Sequence, residues 1–317
     1  MCAGDGYGGI APPEDDTVPG PAHRIDSSRE LEGDSFTMAT SSATSVPEII
    51  IIEPGNSRKV LDCRELKDYR DLFSFLVLRD IKVLYAQTIL GFAWAILNPF
   101  LQILIFTVIF GKVARVPTDN IPYVLFSTAA IIPWTYMAEA MVLSSQSLIT
   151  GHAILDKIYF PRLLFPLTPV FSKLVDFGIS LLILVAVLAY YRVVPTGNLA
   201  FFPLFVLLMM CVPAAIGMWL SSLAIRFRDV KFAMQFIVRM LIYTAPIVYS
   251  ASSIPEPYRT LYSLNPIVCV VEGFRACLLG TPLVWQHLLP GMAASAILLV
   301  SGARYFKKTE RVFVDVI

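Results

Sequence analysis

Few residues in this chain are equipped for chemistry, and those few stand in apolar surroundings. Glu139 and Arg239 each lie inside a long run of hydrophobic side chains. A charge at such depth is expensive, so it serves as a buried structural partner, an interface charge or a group coupling ion movement to transport. Lys173 and Asp176 are one helical turn apart, a spacing at which they neutralise each other and reach toward the inner membrane surface. Glu272 and Arg275 repeat that spacing in a half-apolar run, 268–279, bracketed by Pro266 and Pro282. Catalytic and metal-binding patterns are missing. His23, His152 and His287 lie far apart, no HExxH or CxxC occurs, and Cys2, Cys63, Cys211, Cys269 and Cys277 lack metal-ligand spacing. Gly111-Lys112 has no glycine five residues earlier, so the loop that cradles ATP phosphates is absent too. Neither an enzyme nor a resident metal or cofactor is expected. Energy for any transport has to come from a gradient or from another subunit.

The elements that position these groups are set by apolar length. Hydrophobic residues make up 56% of the chain and charged residues 15%, against roughly 45–50% and about 25% in soluble domains. A helix needs about 20 mostly apolar residues to cross a bilayer, and six stretches qualify: 91–110, 123–143, 167–191, 199–225, 232–249 and 288–305. The expected fold is an all-α membrane protein with six transmembrane helices, preceded by an amphipathic interfacial helix over 58–78. In that helix Asp62 and Glu65 read as an acidic capping box, and Leu66, Tyr69, Leu72, Phe73 and Leu76 oppose Arg64, Lys67, Asp68 and Asp71. A solvated helix packed on a partner is the other reading. Residues 1–57 are acidic, rich in Gly, Pro, Ser and Thr, and lack the basic-then-apolar pattern of a secretory signal; a disordered cytoplasmic tail is expected there. Between spans five and six, Pro255, Pro257, Pro266 and Pro282 punctuate residues 250–287. Short re-entrant helices are expected in that segment, packed on protein or lining a cavity. With the amino terminus inside, the inner loops and ends carry sixteen Lys and Arg and the outer loops five, so both termini are expected in the cytoplasm.

The run 79–99, RDIKVLYAQTILGFAWAILNP, resembles the approach to the first span in membrane subunits of bacterial polysaccharide ABC exporters, the type-2 ABC permease family. Further segments match in the same order: KIYFPR at 157–162 with Pro166, RFRDV at 226–230, APIVY at 245–249, LNP at 264–266, EGFR at 272–275, then Phe306 and Glu310. The resemblance covers roughly 60–317 and places a type-2 ABC transmembrane domain over 79–317, leaving the acidic tail outside. It implies a permease that works as a homodimer beside two ATP-binding cassette subunits, which alone hold ATP and Mg. It implies export of a lipid-linked glycan of O-antigen, capsule or teichoic-acid type across the bacterial cytoplasmic (inner) membrane, among membrane lipids and with no nucleic acid involved. Coupling to the ATPase falls on cytoplasmic segments containing Ser147, Leu148, Ile149, Asp156, Arg226, Arg228 and Asp229. Arg226 and Arg228 serve topology at the same time. The proline-rich outer segment becomes a gate, with Tyr258, Tyr262, Asn265, Glu272 and Arg275. Aromatic rings suit the C–H faces of sugars, which makes Trp94, Trp134, Tyr136 and Tyr243 candidates for a substrate path, although membrane aromatics also form interfacial belts and packing contacts. Other readings remain: a type-2 ABC exporter of a drug or lipid, a gradient-driven flippase, and a membrane transferase or hydrolase.

Overall fold

The computed structural model describes residues 69–86, 93–151, 161–195, 197–227 and 229–316, and these are all-α. Helix α1, Arg70–Tyr85, carries a stripe of Tyr69, Leu72, Phe73 and Leu76 that packs on a small core of Leu148, Leu164, Phe165, Met218, Ala303 and Phe306. Phe73 meets Phe171 edge-on at 5.1 Å. No glycine or proline interrupts residues 70–86, so the helix continues beyond 78, where a boundary was expected, to Tyr85. Phe75, Leu78 and Val83 remain exposed on its other faces, an apolar surface that suits lipid better than water. The tail 1–57, Asp62 and Glu65 lie outside the described residues.

Helix α2, Ala93–Phe106, passes into a π-helical turn, Thr107–Val113. Helix α3 is Tyr123–Thr150; α4, Leu164–Ser172, and α5, Leu174–Tyr190, follow one another with a bend at Lys173. A 3-10 turn, Gly197–Phe201, leads into α6, Phe202–Arg226. Then come α7, Val230–Thr244, α8, Glu256–Ser263, α9, Pro266–Leu279, and α10, Trp285–Val316. Among the described residues, four helical stretches are long and apolar enough to cross a membrane: Ala93–Val113, Leu164–Tyr190, Gly197–Arg226 and Trp285–Glu310. Counting α8 and α9, which meet at 101°, as one broken span makes five.

This is a multi-spanning membrane protein, and the expected count of six differs from the observed set at two places. The stretch 232–249 forms only the 15-residue α7, because Ala245 turns extended and Pro246 follows. Fifteen residues rise about 22 Å, short of a hydrocarbon core of about 30 Å. Helix α3 is long enough at 28 residues but less apolar, and 18 of the 28 are buried inside the protein. Its hydroxyls and amphipathic rings are sheltered by other helices rather than presented to lipid.

Small residues let these helices approach closely, as they must where lipid offers no hydrophobic drive for association. A Cβ on Gly217 of α6 would strike the Ser144 side chain of α3, and one on Gly273 of α9 would strike Phe205. On α10, a Cβ at Gly302 would lie 2.7 Å from the Ala215 carbonyl oxygen, a backbone atom unable to step aside. Gly302→Val should therefore push α10 away from α6 and cost about 1–3 kcal/mol. The stacked pair Trp219–Tyr305, 4.2 Å between centroids across the same seam, reports it. We expect a lower unfolding temperature and altered Trp219 emission in detergent; a parental melting curve would show that the seam repacks freely.

Candidate functional site

Lys173 occupies the bend between α4 and α5, where it is only 8% exposed. As the C-cap of α4 its ammonium suits the negative helix end, and Asp176 in the first turn of α5 suits the positive end. Lys173 Nζ lies 2.7 Å from Asp176 Oδ2, as the one-turn spacing predicts. A second carboxylate, Glu139 Oε2 of α3, lies 2.7 Å away and holds it inside. Asn98 Nδ2 of α2 donates to Glu139 Oε1 at 3.2 Å, and Tyr85 at the end of α1 donates its hydroxyl to Asp176. Burial and the Asp176 carboxylate raise the Tyr85 phenol well above its ordinary pKa, keeping it a donor. One turn along, Thr135 Oγ1 donates to Gln102 Oε1 at 3.1 Å, so α2 and α3 share two polar links. A small cleft of about 20 Å³ opens against this cluster, bordered by Trp94, Asn98, Tyr136, Glu139 and Lys173. The cluster thus joins five helices around one ammonium and two carboxylates.

The second site is the α8–α9 unit. Arg275 is 2% exposed, donates to Glu272 Oε1 at 2.9 Å, and lies 3.5 Å over the Phe126 ring. Its Nη2 also reaches the Ile247 carbonyl at 3.4 Å. Arg275 Nε has no hydrogen-bond partner among the described residues. Asn265 caps α9, its side chain accepting from Ile267 N at 3.0 Å, and Gly280 ends that helix at φ 72°. Tyr262 donates to the Tyr249 hydroxyl at 3.2 Å, and Tyr249 donates to the Tyr243 carbonyl at 3.2 Å; Tyr258 is exposed. The five expected gate residues therefore divide into an ion pair between buried Arg275 and half-buried Glu272, a helix cap, a tyrosine link back to α7 and one free ring.

The expected coupling residues separate by depth. Arg226 in the last turn of α6 and Asp229 ahead of α7 are exposed, with Phe227 exposed between them. The Asp229 carbonyl accepts from Phe232 N and Ala233 N, opening α7. Ser147 is buried and donates to the Ser144 carbonyl at 2.8 Å, and Leu148 belongs to the core beneath α1; of this trio only Ile149 is exposed. Asp156 and Arg228 lie outside the described residues. Among the aromatic candidates, Trp94 and Tyr136 border the cleft beside Glu139. Tyr136 spends its hydroxyl on the Val170 carbonyl at 2.8 Å. Trp134 is 3% exposed within the main core, and Tyr243 is 62% exposed on α7. Sequence reasoning overlooked Tyr85, Asn98 and Phe126. Only their meeting with distant charges marks them out.

Residues 71–279 match the family model described as ABC-2 type transporter. The chain belongs to the ABC-2 type transporter family. This ABC-2 permease is a transport component of an inner membrane, not an enzyme, and its family implies partnership with ATP-binding cassette subunits. It is 27% identical over 261 residues to the O-antigen export system permease protein RfbA of Myxococcus xanthus, covering 80% of this chain and 97% of that protein. It is 26% identical over 248 residues to the RfbA of Klebsiella pneumoniae, covering 78% and 95%. The polysialic acid transport protein KpsM of Escherichia coli is 23% identical over 208 residues, covering 63% and 78%.

Proposed function

We propose that this ABC-2 permease moves a lipid-linked polysaccharide of O-antigen type outward across the bacterial cytoplasmic membrane, as a homodimer driven by two ATP-binding cassette subunits. The similarity to the O-antigen export permease of Myxococcus xanthus over 97% of that protein's length carries this reading. In it, α3 and α7 join the four apolar stretches to complete six crossings, with α7 reaching one surface through residues 245–249. Helices α8 and α9 form a re-entrant gate on the outer side; their 101° bend and the pairing of buried Arg275 with Glu272 support that role. Both termini lie in the cytoplasm. Residues 1–57 form the tail, 58–78 belong to the interfacial segment and 79–317 form the transporter domain.

Coupling then falls on the loop of Arg226, Arg228 and Asp229, where exposed charges flank exposed Phe227 between α6 and α7. A push on this loop moves both helices, and the Tyr243–Tyr249–Tyr262 link carries the motion from α7 to α8. Asp229→Arg should leave insertion and dimerisation intact yet lower surface glycan at least tenfold, with weakened ATPase binding or hydrolysis freed from export. Immunoblots of surface glycan and pull-down of a Walker-motif subunit read both effects. Parental export and parental ATPase stimulation would reduce the loop to a topology signal. Failure of the parent chain to restore surface glycan in a permease deletion strain would sink the exporter reading itself.

A further inference from the structure

Helix α7 buries one narrow stripe, Val230, Met234 and Val238, against the rest of the protein. Beside it runs a second row at the same four-residue spacing, Lys231, Gln235, Arg239 and Tyr243, and all four are exposed. The row climbs about 12 Å from Lys231 to Arg239 and about 6 Å more to Tyr243. Arg239 is the tenth of fifteen residues, flanked by Phe236, Ile237, Val238, Met240 and Leu241. A guanidinium there is tolerated only when it faces a water-filled path or a counter-charge. Among the described residues no carboxylate pairs with it: Glu139 and Asp176 are engaged on Lys173, and Glu272 on Arg275.

We propose that Lys231, Gln235, Arg239 and Tyr243 form a track for the phosphate that joins glycan to lipid in the transported molecule, with Arg239 as its principal contact. This rests on the reading of the chain as a lipid-linked glycan exporter. The chemistry matches at each step. Lys231 at the start of α7 attracts an anion as a point charge, and Arg239 offers a planar fork suited to phosphate oxygens. Gln235 adds neutral donors between them, and the Tyr243 ring meets the C–H face of the first sugar. The track ends where Tyr249 bonds the Tyr243 carbonyl and receives the Tyr262 hydroxyl, at the foot of the α8–α9 unit. An anion moving along α7 is thereby delivered to the segment assigned as gate.

The test uses the permease with its ATPase subunit in nanodiscs of phosphatidylcholine. Two labelled probes are compared, a polyprenyl phosphate bearing one sugar and the uncharged polyprenyl glycoside of that sugar. The parent should bind the phosphate probe at least tenfold more tightly. Arg239→Gln should abolish that preference while leaving affinity for the uncharged probe unchanged, and Arg239→Lys should retain part of it. Gln235→Glu, which sets a carboxylate one turn from Arg239 and keeps the arginine, should also erase the preference. A preserved preference in Arg239→Gln and Gln235→Glu overturns the track while leaving the exporter reading intact. Loss of the dimer in Arg239→Gln, with Gln235→Glu unchanged in binding, makes Arg239 an interface residue and overturns the track as well. Displacement of the phosphate probe by phosphatidylglycerol as effectively as by unlabelled probe assigns the row to bilayer headgroups and also overturns it. A parent that binds neither probe removes the exporter reading, and the track falls with it.

Discussion

Lys173→Met will leave the Glu139 and Asp176 carboxylates facing each other with no counter-charge, and the protein should lose about 3–5 kcal/mol of stability. Lys173 Nζ lies 2.7 Å from both carboxylates, so deleting it removes two short ion pairs at once and exposes their mutual repulsion. The lower end of the range applies because the Glu139 side chain keeps 35% of its surface exposed and part of its charge is solvated. Thermal unfolding in detergent, followed by size-exclusion chromatography, measures the loss. Neutralising both carboxylates as well, with Glu139→Gln and Asp176→Asn, should recover most of it, since hydrogen-bonded amides carry no unpaired charge. A single Lys173→Met variant as stable as the parent would mean that the cluster is solvated.

Glu272→Gln should be comparably damaging, by about 3–5 kcal/mol, because Arg275 is fully interior and would be left a buried cation with a weaker partner. Phe126 and the Ile247 carbonyl would still face the guanidinium, but neither carries a full charge. The paired variant Glu272→Leu with Arg275→Met removes both charges together and should be milder than Glu272→Gln, as apolar replacement of a buried pair is often near neutral. That comparison separates folding from transport. If the paired variant assembles and melts near the parent temperature yet exports no glycan, the ion pair acts in the gate. If it exports normally, the pair only braces α9 against α3.

Much of this architecture is legible in local spacing. The apolar lengths of α2, α4–α5, α6 and α10, the stripe of Tyr69, Leu72, Phe73 and Leu76, and the one-turn pairs Lys173–Asp176 and Glu272–Arg275 follow from helix periodicity, which couples residues three or four apart. Asn265-Pro266 likewise announces the start of α9, through an Asx cap followed by proline in the first turn. The shortness of α7 is less legible, since hydropathy runs on through Ala245-Pro246 after the helical hydrogen bonds have ended.

Tertiary structure alone decided the rest, because contacts between separate helices leave no periodic trace in the chain. Glu139 meets Lys173 from 34 residues away and Phe126 lies beneath Arg275, so neither partnership follows from the spacing of the charges themselves. Trp134 and Tyr243 look equivalent as membrane aromatics, yet packing buries the first in the core and leaves the second open on α7. The same distinction governs the charges. The amino-acid sequence by itself determined which residues carry charge in an apolar chain and on which helical face each sits. The assembled bundle determined which charges are neutralised from within, and Arg239 stands apart because no described carboxylate is placed to meet it.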